Sequence, residues 1–216
     1  MLKRVVCLGL LSLCCVSLTG LAIYDPAAAA RTNARLGLTY LQKGLYPQSK
    51  ERLLTSIKED PQIAAGWYGM AYYLEKTGNP QSAEKYYLKA IEVEPHSGAA
   101  QNNYGTFLCR RGRYQQAIAE FVKAAHQRTY LDAASAYENA GTCSLMIPDK
   151  KMAMFYFNRA LQNNPNLPFS LLSMAKLNHE TGHEVKADNY FMLFEKIAMT
   201  NKPASEVQKY HDYAFS

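Results

Sequence analysis

The sequence predicts an all-α fold, a linear array of repeated antiparallel helix pairs. Three observations predict it: helix stops recur at a regular spacing, small residues fall at fixed offsets, and turn-forming residues divide each copy in two. Because proline cannot continue a helix and restricts the residue before it, Asp60-Pro61, Glu94-Pro95 and Asn164-Pro165 each mark a helix end. The first two stops lie about 34 residues apart, and the third lies roughly twice that distance further on, which leaves room for one more copy with a short insertion.

Small residues recur at three positions of each copy, where helices that cross closely require them. The first set is Gly37, Ala71, Gly105, Gly141 and Ala175. The second set is Ser49, Ala83, Ala117, Ala153 and Ala187, and the third is Ser56, Ala90, Ala124 and Ala160. A bulky residue at one further offset fills the space around each crossing, namely Leu53, Tyr87, Phe121, Phe157 and Phe191.

Turn-forming residues separate the two helices of most copies. These breakers are Gly44, Gly78, Gly112, Pro148 and Gly182. In the third copy, RRGRY is the predicted turn, with Gly112 at its apex and Tyr114 beginning the second helix. Gly105, inside the preceding helix, costs about 1 kcal/mol of helix propensity relative to Ala, but it leaves space at a crossing, so packing is expected to outweigh propensity.

This pattern resembles the tetratricopeptide repeat, and the second copy carries it most clearly through Trp67, Met70-Ala71, Leu74, Gly78, Ala83, Tyr87, Ala90 and Pro95. The resemblance implies a superhelix of antiparallel helix pairs over residues 31–216. We divide it into five repeats, at about 30–63, 64–97, 98–133, 134–167 and 168–201. Residues 202–215, opened by Pro203, read as one more helix that caps the last pair or begins a sixth repeat.

The N-terminal segment, residues 1–30, is typical of a secretory signal or an N-terminal anchor. Lys3 and Arg4 precede an uncharged apolar run, whose length suits a signal peptide and is short for a membrane span. Small residues that signal cleavage prefers follow at 20–22 and again in the alanine run at 27–30. Cleavage and retention as an anchor both stay open.

Composition favours a folded, non-catalytic protein. The 216-residue chain is 48% hydrophobic, which argues against disorder, and its net charge of +6 is scattered. A solvated basic surface is therefore favoured over nucleic-acid binding. The histidines are dispersed, and although His179 and His183 have a metal-binding spacing, Gly182 between them marks a turn. No nucleophile with a base, metal site or phosphate loop is found, so we expect neither enzyme activity nor a cofactor.

First helices of such an array line a concave groove, which suits an extended peptide. Groove-facing positions in the middle repeats are Tyr68, Tyr72, Glu75, Lys76, Asn102, Thr106, Cys109, Arg110, Ser135, Glu138, Thr142, Leu145 and Met146. The candidate protein-binding residues are Tyr68, Tyr72, Asn102, Thr106, Arg110, Glu138 and Thr142. Tetratricopeptide domains that clamp a C-terminal carboxylate resemble one another in a lysine and an asparagine that this chain lacks at the matching positions, so no carboxylate clamp is expected.

Two segments go beyond the generic repeat. NNYGTFLC at 102–109 and ENAGTC at 138–143, with the region around Tyr130, resemble the type IV pilus biogenesis and stability family (PilF/PilW), and YLQKGLYPQSKERLLTSIKEDP at 40–61 is in keeping with it. The resemblance implies a periplasmic pilotin, which takes the pilus secretin subunit to the outer membrane and promotes its multimerisation, with other pilus assembly proteins as further partners. It also implies that the groove and the N-terminal repeats meet those partners.

The family's lipoprotein signal ends in a cysteine, and this chain departs from it. Leu18-Thr19-Gly20 is followed by Leu21, where the lipidated cysteine is expected. The sequence therefore predicts a periplasmic protein acting at the outer membrane and leaves lipid attachment open.

Cys109 and Cys143 fall at nearly equivalent heights on the first helices of adjacent repeats. Two possibilities stay open, a disulfide that joins the third repeat to the fourth, or two buried free thiols. For the whole protein, the functional alternatives are a pilotin, a general periplasmic adaptor for outer-membrane or cell-wall assembly, and an enzyme with a tetratricopeptide body.

Overall fold

A computed structural model describes residues 24–200 and 202–216, and within these residues the chain forms eleven helices and no strand. The helices are α1 (Pro26–Gln42), α2 (Tyr46–Glu59), α3 (Ala64–Lys76), α4 (Pro80–Val93), α5 (Gly98–Arg110), α6 (Tyr114–Ala125), α7 (Ala133–Ser144), α8 (Lys150–Asn163), α9 (Pro168–His179), α10 (Glu184–Ala198) and α11 (Ala204–Ala214). Each odd-numbered helix up to α9 packs against the next, which gives five antiparallel pairs. The predicted all-α superhelix of helix pairs is confirmed.

The turns inside the pairs lie where the sequence predicts them. Gly44, Gly78, Gly112 and Gly182 have φ of 72°, 84°, 75° and 76°. A side chain in this left-handed region is disfavoured, which explains why glycine recurs at this position. Because α5 ends at Arg110 and α6 begins at Tyr114, the RRGRY turn is confirmed.

Side chains also fix where several helices begin. The oxygens of Asp25, Asn79, Ser97 and Asp149 accept hydrogen bonds from backbone N–H groups three residues on, at 3.1, 3.1, 3.3 and 3.2 Å. Each bond satisfies an N–H group that the helix itself leaves unpaired. The boundaries of α1, α4, α5 and α8 are thus specified locally.

The predicted small residues all lie in the core, and so do the bulky residues opposite them. At the third crossing, a Cβ added to Gly105 would lie 2.9 Å from Cδ1 of Phe121 and 3.1 Å from the carbonyl oxygen of Ala117. Such distances are tighter than normal van der Waals contact, and a backbone carbonyl cannot easily move. The close approach expected at this crossing is present, and the prediction that packing outweighs helix propensity there stays a prediction.

The short insertion lies in the loop between α6 and α7. This loop covers residues 126–132, whereas the equivalent loop between α4 and α5 covers only 94–97. Tyr130 packs directly over Gly98, where a Cβ would lie 2.4 Å from the tyrosine Cγ. The longer loop is therefore held against the start of α5.

The last helix, α11, packs against α9 and α10. Ala214 is buried, and the ring of Phe215 lies 5.6 Å from that of Phe191. The Nζ of Lys176 donates to the carbonyl oxygen of Tyr213 at 3.0 Å. The additional helix thus covers apolar surface that the fifth pair would otherwise expose.

Most of the predicted signal or anchor lies outside the described residues, but its last part does not. The alanine run at 27–30 belongs to the first turns of α1. Ala30 is fully buried, and its carbonyl oxygen accepts a hydrogen bond from the Oγ of Ser56 at 2.7 Å. Among the helices that the structure describes, none combines the length and the apolar character that crossing a bilayer requires.

Candidate binding groove

The first helices lie side by side and form one face of the array. α3 contacts both α1 and α5, and α5 contacts α7. In a helical-pair superhelix this face is the concave one. The predicted groove residues lie on three of these neighbouring helices, with Tyr68 and Tyr72 on α3, Asn102, Thr106 and Arg110 on α5, and Glu138 and Thr142 on α7.

Arg110 ties α5 to α3 at one end of these helices. Its Nε and Nη2 donate to the two carboxylate oxygens of Glu75 at 2.6 and 2.7 Å. The guanidinium carbon lies 5.8 Å from the ring centre of Tyr72, and the Nζ of Lys76 lies 5.4 Å from it. Such a two-pronged ion pair has fixed geometry, so Arg110 and Glu75 neutralise each other, and Tyr72 lies within cation–π distance of both Arg110 and Lys76.

Tyr87 supports this ion pair from the core. Its hydroxyl donates to the same Glu75 carboxylate at 3.3 Å, and the side chain is almost completely buried. Burial raises the pKa of Tyr87 well above its usual value, and the nearby Glu75 carboxylate raises it further. The hydroxyl therefore remains a neutral donor at physiological pH.

Asn102 makes its side-chain contact with the next repeat. The Nδ2 of Asn139 on α7 donates to the Oδ1 of Asn102 at 3.0 Å. Thr106 donates from its Oγ1 to the backbone carbonyl of Asn102 at 2.9 Å, as a hydroxyl in a helix often does. This amide pair joins α5 to α7.

The carboxylate of Glu138 accepts hydrogen bonds from the first turn of α9. One carboxylate oxygen accepts from the backbone N–H of Ser170 at 3.1 Å and from its Oγ at 2.6 Å. A carboxylate is stabilised at a helix N-terminus, where N–H groups lack partners inside the helix. Thr142, one turn further along α7, is exposed and donates to the carbonyl oxygen of Glu138 at 2.8 Å.

Three of the seven predicted residues, Arg110, Asn102 and Glu138, thus hold adjacent repeats together. Their intramolecular contacts were not foreseen from the sequence, and their part in binding a partner stays a prediction. Tyr68, Tyr72 and Thr106 are only partly buried, and Thr142 is exposed.

The structure adds a pocket of about 530 Å³ at the first repeat. Arg31, Arg35 and Leu38 of α1 line it together with Tyr68 and Glu94. Burial, and then the charge of Glu94, raises the pKa of the Tyr68 hydroxyl. The predicted groove residues all belong to the second to fourth repeats, but the same repeat positions in the first copy carry Arg31 and Leu38.

A disulfide crosses from α5 to α7. Cys109 and Cys143 are bonded in the structure, with their Cα atoms 5.9 Å apart. Cys143 is completely buried and Cys109 is partly exposed on the groove side of α5. The bond lies one residue from Arg110, so the same stretch of α5 is joined covalently to α7 and by an ion pair to α3.

Within residues 24–200 and 202–216, no group of three or more His, Cys, Asp or Glu side chains could hold a metal ion. At the turn between α9 and α10, the Nδ1 of His179 lies 2.8 Å from Glu184, and the Nδ1 of His183 lies 3.0 Å from the Oγ1 of Thr181. These two histidines make local contacts at a turn.

Comparison with known proteins places the fold in a family. A model of the tetratricopeptide repeat family matches residues 38–192. The chain therefore belongs to the tetratricopeptide repeat family, whose members are protein-interaction scaffolds built from helix pairs.

Within this class, the chain is similar to proteins of type IV pili. It is 32% identical over 160 residues to the type IV pilus assembly protein PilF of Pseudomonas aeruginosa, and the aligned part covers 74% of this chain and 64% of PilF. A solved structure of Pseudomonas aeruginosa PilF superimposes with a TM-score of 0.73 at 27% identity and covers 88% of both chains. The crystal structure of PilW, described as a widely conserved type IV pilus biogenesis factor, gives 0.66 at 25% identity and covers 85% of this chain and 91% of PilW.

Proposed function

We propose that this protein is a pilotin, a non-enzymatic scaffold that promotes outer-membrane targeting and multimerisation of a type IV pilus secretin. The observation that carries the proposal is the similarity to PilF and PilW over most of the helical array, in sequence and in fold. The sequence segments at 102–109 and 138–143, on which the family resemblance rests, both lie on the groove helices α5 and α7. The secretin subunit is the proposed partner, and other pilus assembly proteins join it.

The proposed binding surface is the concave groove, extended into the pocket at the first repeat. Arg31 and Arg35 are both exposed there, and Tyr68 connects the pocket to the rest of the groove. Cations and tyrosines on a concave surface suit a peptide segment that supplies backbone hydrogen bonds and acidic or apolar side chains.

The test is the amount of secretin multimer in membranes of a deletion strain. The strain is complemented with the wild type, with Arg31→Glu/Arg35→Glu, or with Lys50→Glu/Lys58→Glu, which makes the same charge change at exposed positions of α2. We expect multimers to vanish on deletion and to return with the wild type and the α2 variant, but not with the groove variant.

Other outcomes separate the two parts of the proposal. Unchanged multimers in the deletion strain would contradict the pilotin function and favour a general periplasmic adaptor. If multimers return with all three complementing proteins, the pilotin function is supported. The pocket at the first repeat is then not part of the binding surface.

The proposed location is the periplasm, at the outer membrane. If the signal is cleaved, we expect cleavage at 20–22 and not in the alanine run. Cleavage after Ala30 would remove the Asp25 cap of α1 and the buried turn that Ser56 binds. N-terminal sequencing of the exported protein checks this expectation, and a first residue beyond 27 would contradict it.

A further inference from the structure

A pocket of about 480 Å³ opens between the second helices of the last two repeats, α8 and α10, and Met174 and Asn178 of α9 also line it. It shares no lining residue with the predicted groove residues. Met154 and Phe155 of α8 and Tyr190 and Leu193 of α10 give it apolar walls. Phe155 is 58% exposed and Leu193 is 48% exposed. Apolar side chains grouped in this way around a concavity are characteristic of an interaction site, whereas a single exposed apolar residue is ordinary.

Two lysines and two asparagines lie beside these apolar walls. Lys151 and Asn158 lie on α8, one on each side of Met154 and Phe155, at the spacing that places all four on one helix face. Lys186 and Asn189 occupy the same face of α10 as Tyr190 and Leu193. The two helices therefore present similar stripes, each with a lysine, an amide and apolar residues.

The rim carries positive charge without a compensating carboxylate. No aspartate or glutamate lines the pocket. The neighbouring Lys150 pairs with Glu180 at 2.8 Å, but neither Lys151 nor Lys186 pairs with a carboxylate in the part of the chain that the structure describes. The side chains of Asn158 and Asn189 make no hydrogen bond with any described residue. The rim therefore offers two ammonium groups and two amide groups that can donate hydrogen bonds to a ligand.

We propose that this pocket is a second docking surface, which takes an acidic segment of a partner protein carrying an aromatic or aliphatic side chain. The apolar side chain enters between Phe155 and Leu193, and carboxylates of the segment pair with Lys151 and Lys186. The amides of Asn158 and Asn189 bind the backbone or polar side chains of the segment. This inference does not depend on the proposed pilotin function.

The shape favours a peptide over a lipid surface. A membrane contact requires apolar groups that protrude into the bilayer, whereas these side chains line a cavity large enough for one or two inserted side chains. Amide groups beside the cavity add directional hydrogen bonds, which a peptide can satisfy and acyl chains cannot. Charge complementarity gives the acidic character of the partner.

The experiment selects peptides directly. A phage library of random peptides of about 12 residues, a length on the order of the docked segments in groove recognition, is panned on the full-length protein, with the Lys151→Glu/Lys186→Glu variant as counter-selection. The selected peptide is labelled with fluorescein, and its affinity is measured by anisotropy. We expect enriched peptides to combine Asp or Glu with an aromatic or aliphatic residue.

Matched variants assign the site. Lys151→Glu/Lys186→Glu and Phe155→Ala should each weaken the peptide affinity about tenfold or more, the effect of losing one good contact. The controls are Lys58→Glu/Lys85→Glu, with the same charge change on α2 and α4, and Leu88→Ala, which removes an apolar side chain that is 50% exposed on α4. Both controls should leave the affinity unchanged. Because all of these residues are at the surface, circular dichroism should show every variant folded.

Each contrary outcome overturns the proposal. The proposal is wrong if no peptide prefers the wild type over the charge-reversed variant. It is also wrong if the enriched peptides lack acidic residues. Binding of phosphatidylglycerol vesicles that the Phe155 and lysine variants abolish would assign the surface to a membrane. A self-association that the same variants abolish would assign it to a second copy of this chain.

Discussion

At the scale of single residues, close contacts decide which side chain each position tolerates. Gly105 faces Phe121 and the carbonyl oxygen of Ala117, so its missing side chain is part of the packing. Glu138 was predicted from the sequence as a binding residue, and it also holds the first turn of α9 through Ser170.

Gly105→Ala should destabilise the protein. The added methyl group overpacks the crossing of α5 and α6 at a cost of about 1–3 kcal/mol, which exceeds the gain of up to about 1 kcal/mol in helix propensity. We expect thermal unfolding to shift down by about 2–4 °C for each kcal/mol lost. In a Phe121→Leu background the same substitution should cost less, because the ring that it meets is absent. A melting temperature equal to or above that of the wild type would contradict the packing argument.

Glu138→Ala and Ser170→Ala should each destabilise the protein, and their effects should not add. Removing the carboxylate takes away a charge-assisted hydrogen bond and leaves N–H and O–H groups without a partner, at about 1–2 kcal/mol for this partly buried site. Denaturant unfolding of both single variants and the double variant measures the coupling. Thr142→Ala, an exposed change one turn along α7, is the control and should have little effect. Strict additivity would show that the two residues do not interact.

At the scale of helices, the groove is held by connections between first helices. The Cys109–Cys143 disulfide and the Asn102–Asn139 pair join α5 to α7, and the Arg110–Glu75 ion pair joins α5 to α3. In a helical array each repeat contacts only its neighbours, so these links add to the stability of the interfaces between repeats.

Reduction of the disulfide should therefore lower stability. The bond closes a loop with a sequence separation of 34 residues, for which loop entropy gives about 3–4 kcal/mol. We expect non-reducing peptide mapping of the protein purified from its native host to recover Cys109 and Cys143 in one cross-linked peptide. Dithiothreitol should lower the melting temperature of the wild type and leave that of Cys109→Ser/Cys143→Ser unchanged. Recovery of both cysteines as free thiols would contradict the bond.

At the scale of the whole molecule, the core that runs through the middle repeats contains several buried tyrosines. Burial raises the pKa of Tyr104 to about 12, helped by the hydrogen bond from its hydroxyl to Glu84, and burial also raises the pKa of Tyr130 to about 12. The pKa of Tyr87 is raised as well, first by burial. In the unfolded chain these groups titrate near 10.0.

Stability should fall as the pH rises from about 10 to about 12. In this window the unfolded chain releases the tyrosine protons and the folded chain retains them, so alkali favours unfolding; below pH 10 both states are protonated, and these groups add no pH dependence. Melting temperature and tyrosinate absorbance measured over the same pH series check the prediction. Complete ionisation of all 16 tyrosines near pH 10 in a protein that remains folded would contradict it.

The period of the array, its turns and its crossing positions could be predicted from the amino-acid sequence. Each of these depends on local chemistry that is repeated in every copy: a proline stop, a glycine with positive φ, or a small residue opposite a bulky one. The same regularity predicted which helices line the groove. Because Cys109 and Cys143 occupy nearly equivalent positions in adjacent repeats, the sequence also indicated that a disulfide between them was possible.

The hydrogen bonds and ion pairs of the polar side chains in the groove could not be predicted from the sequence. Glu138 with Ser170, Asn102 with Asn139 and Arg110 with Glu75 are contacts between residues more than 30 positions apart in the chain. They depend on the distance and rotation between neighbouring repeats, which packing sets and which no single repeat encodes. The pocket formed by α8, α9 and α10 is a further example, because its lining residues come from three helices that only the superhelix brings together.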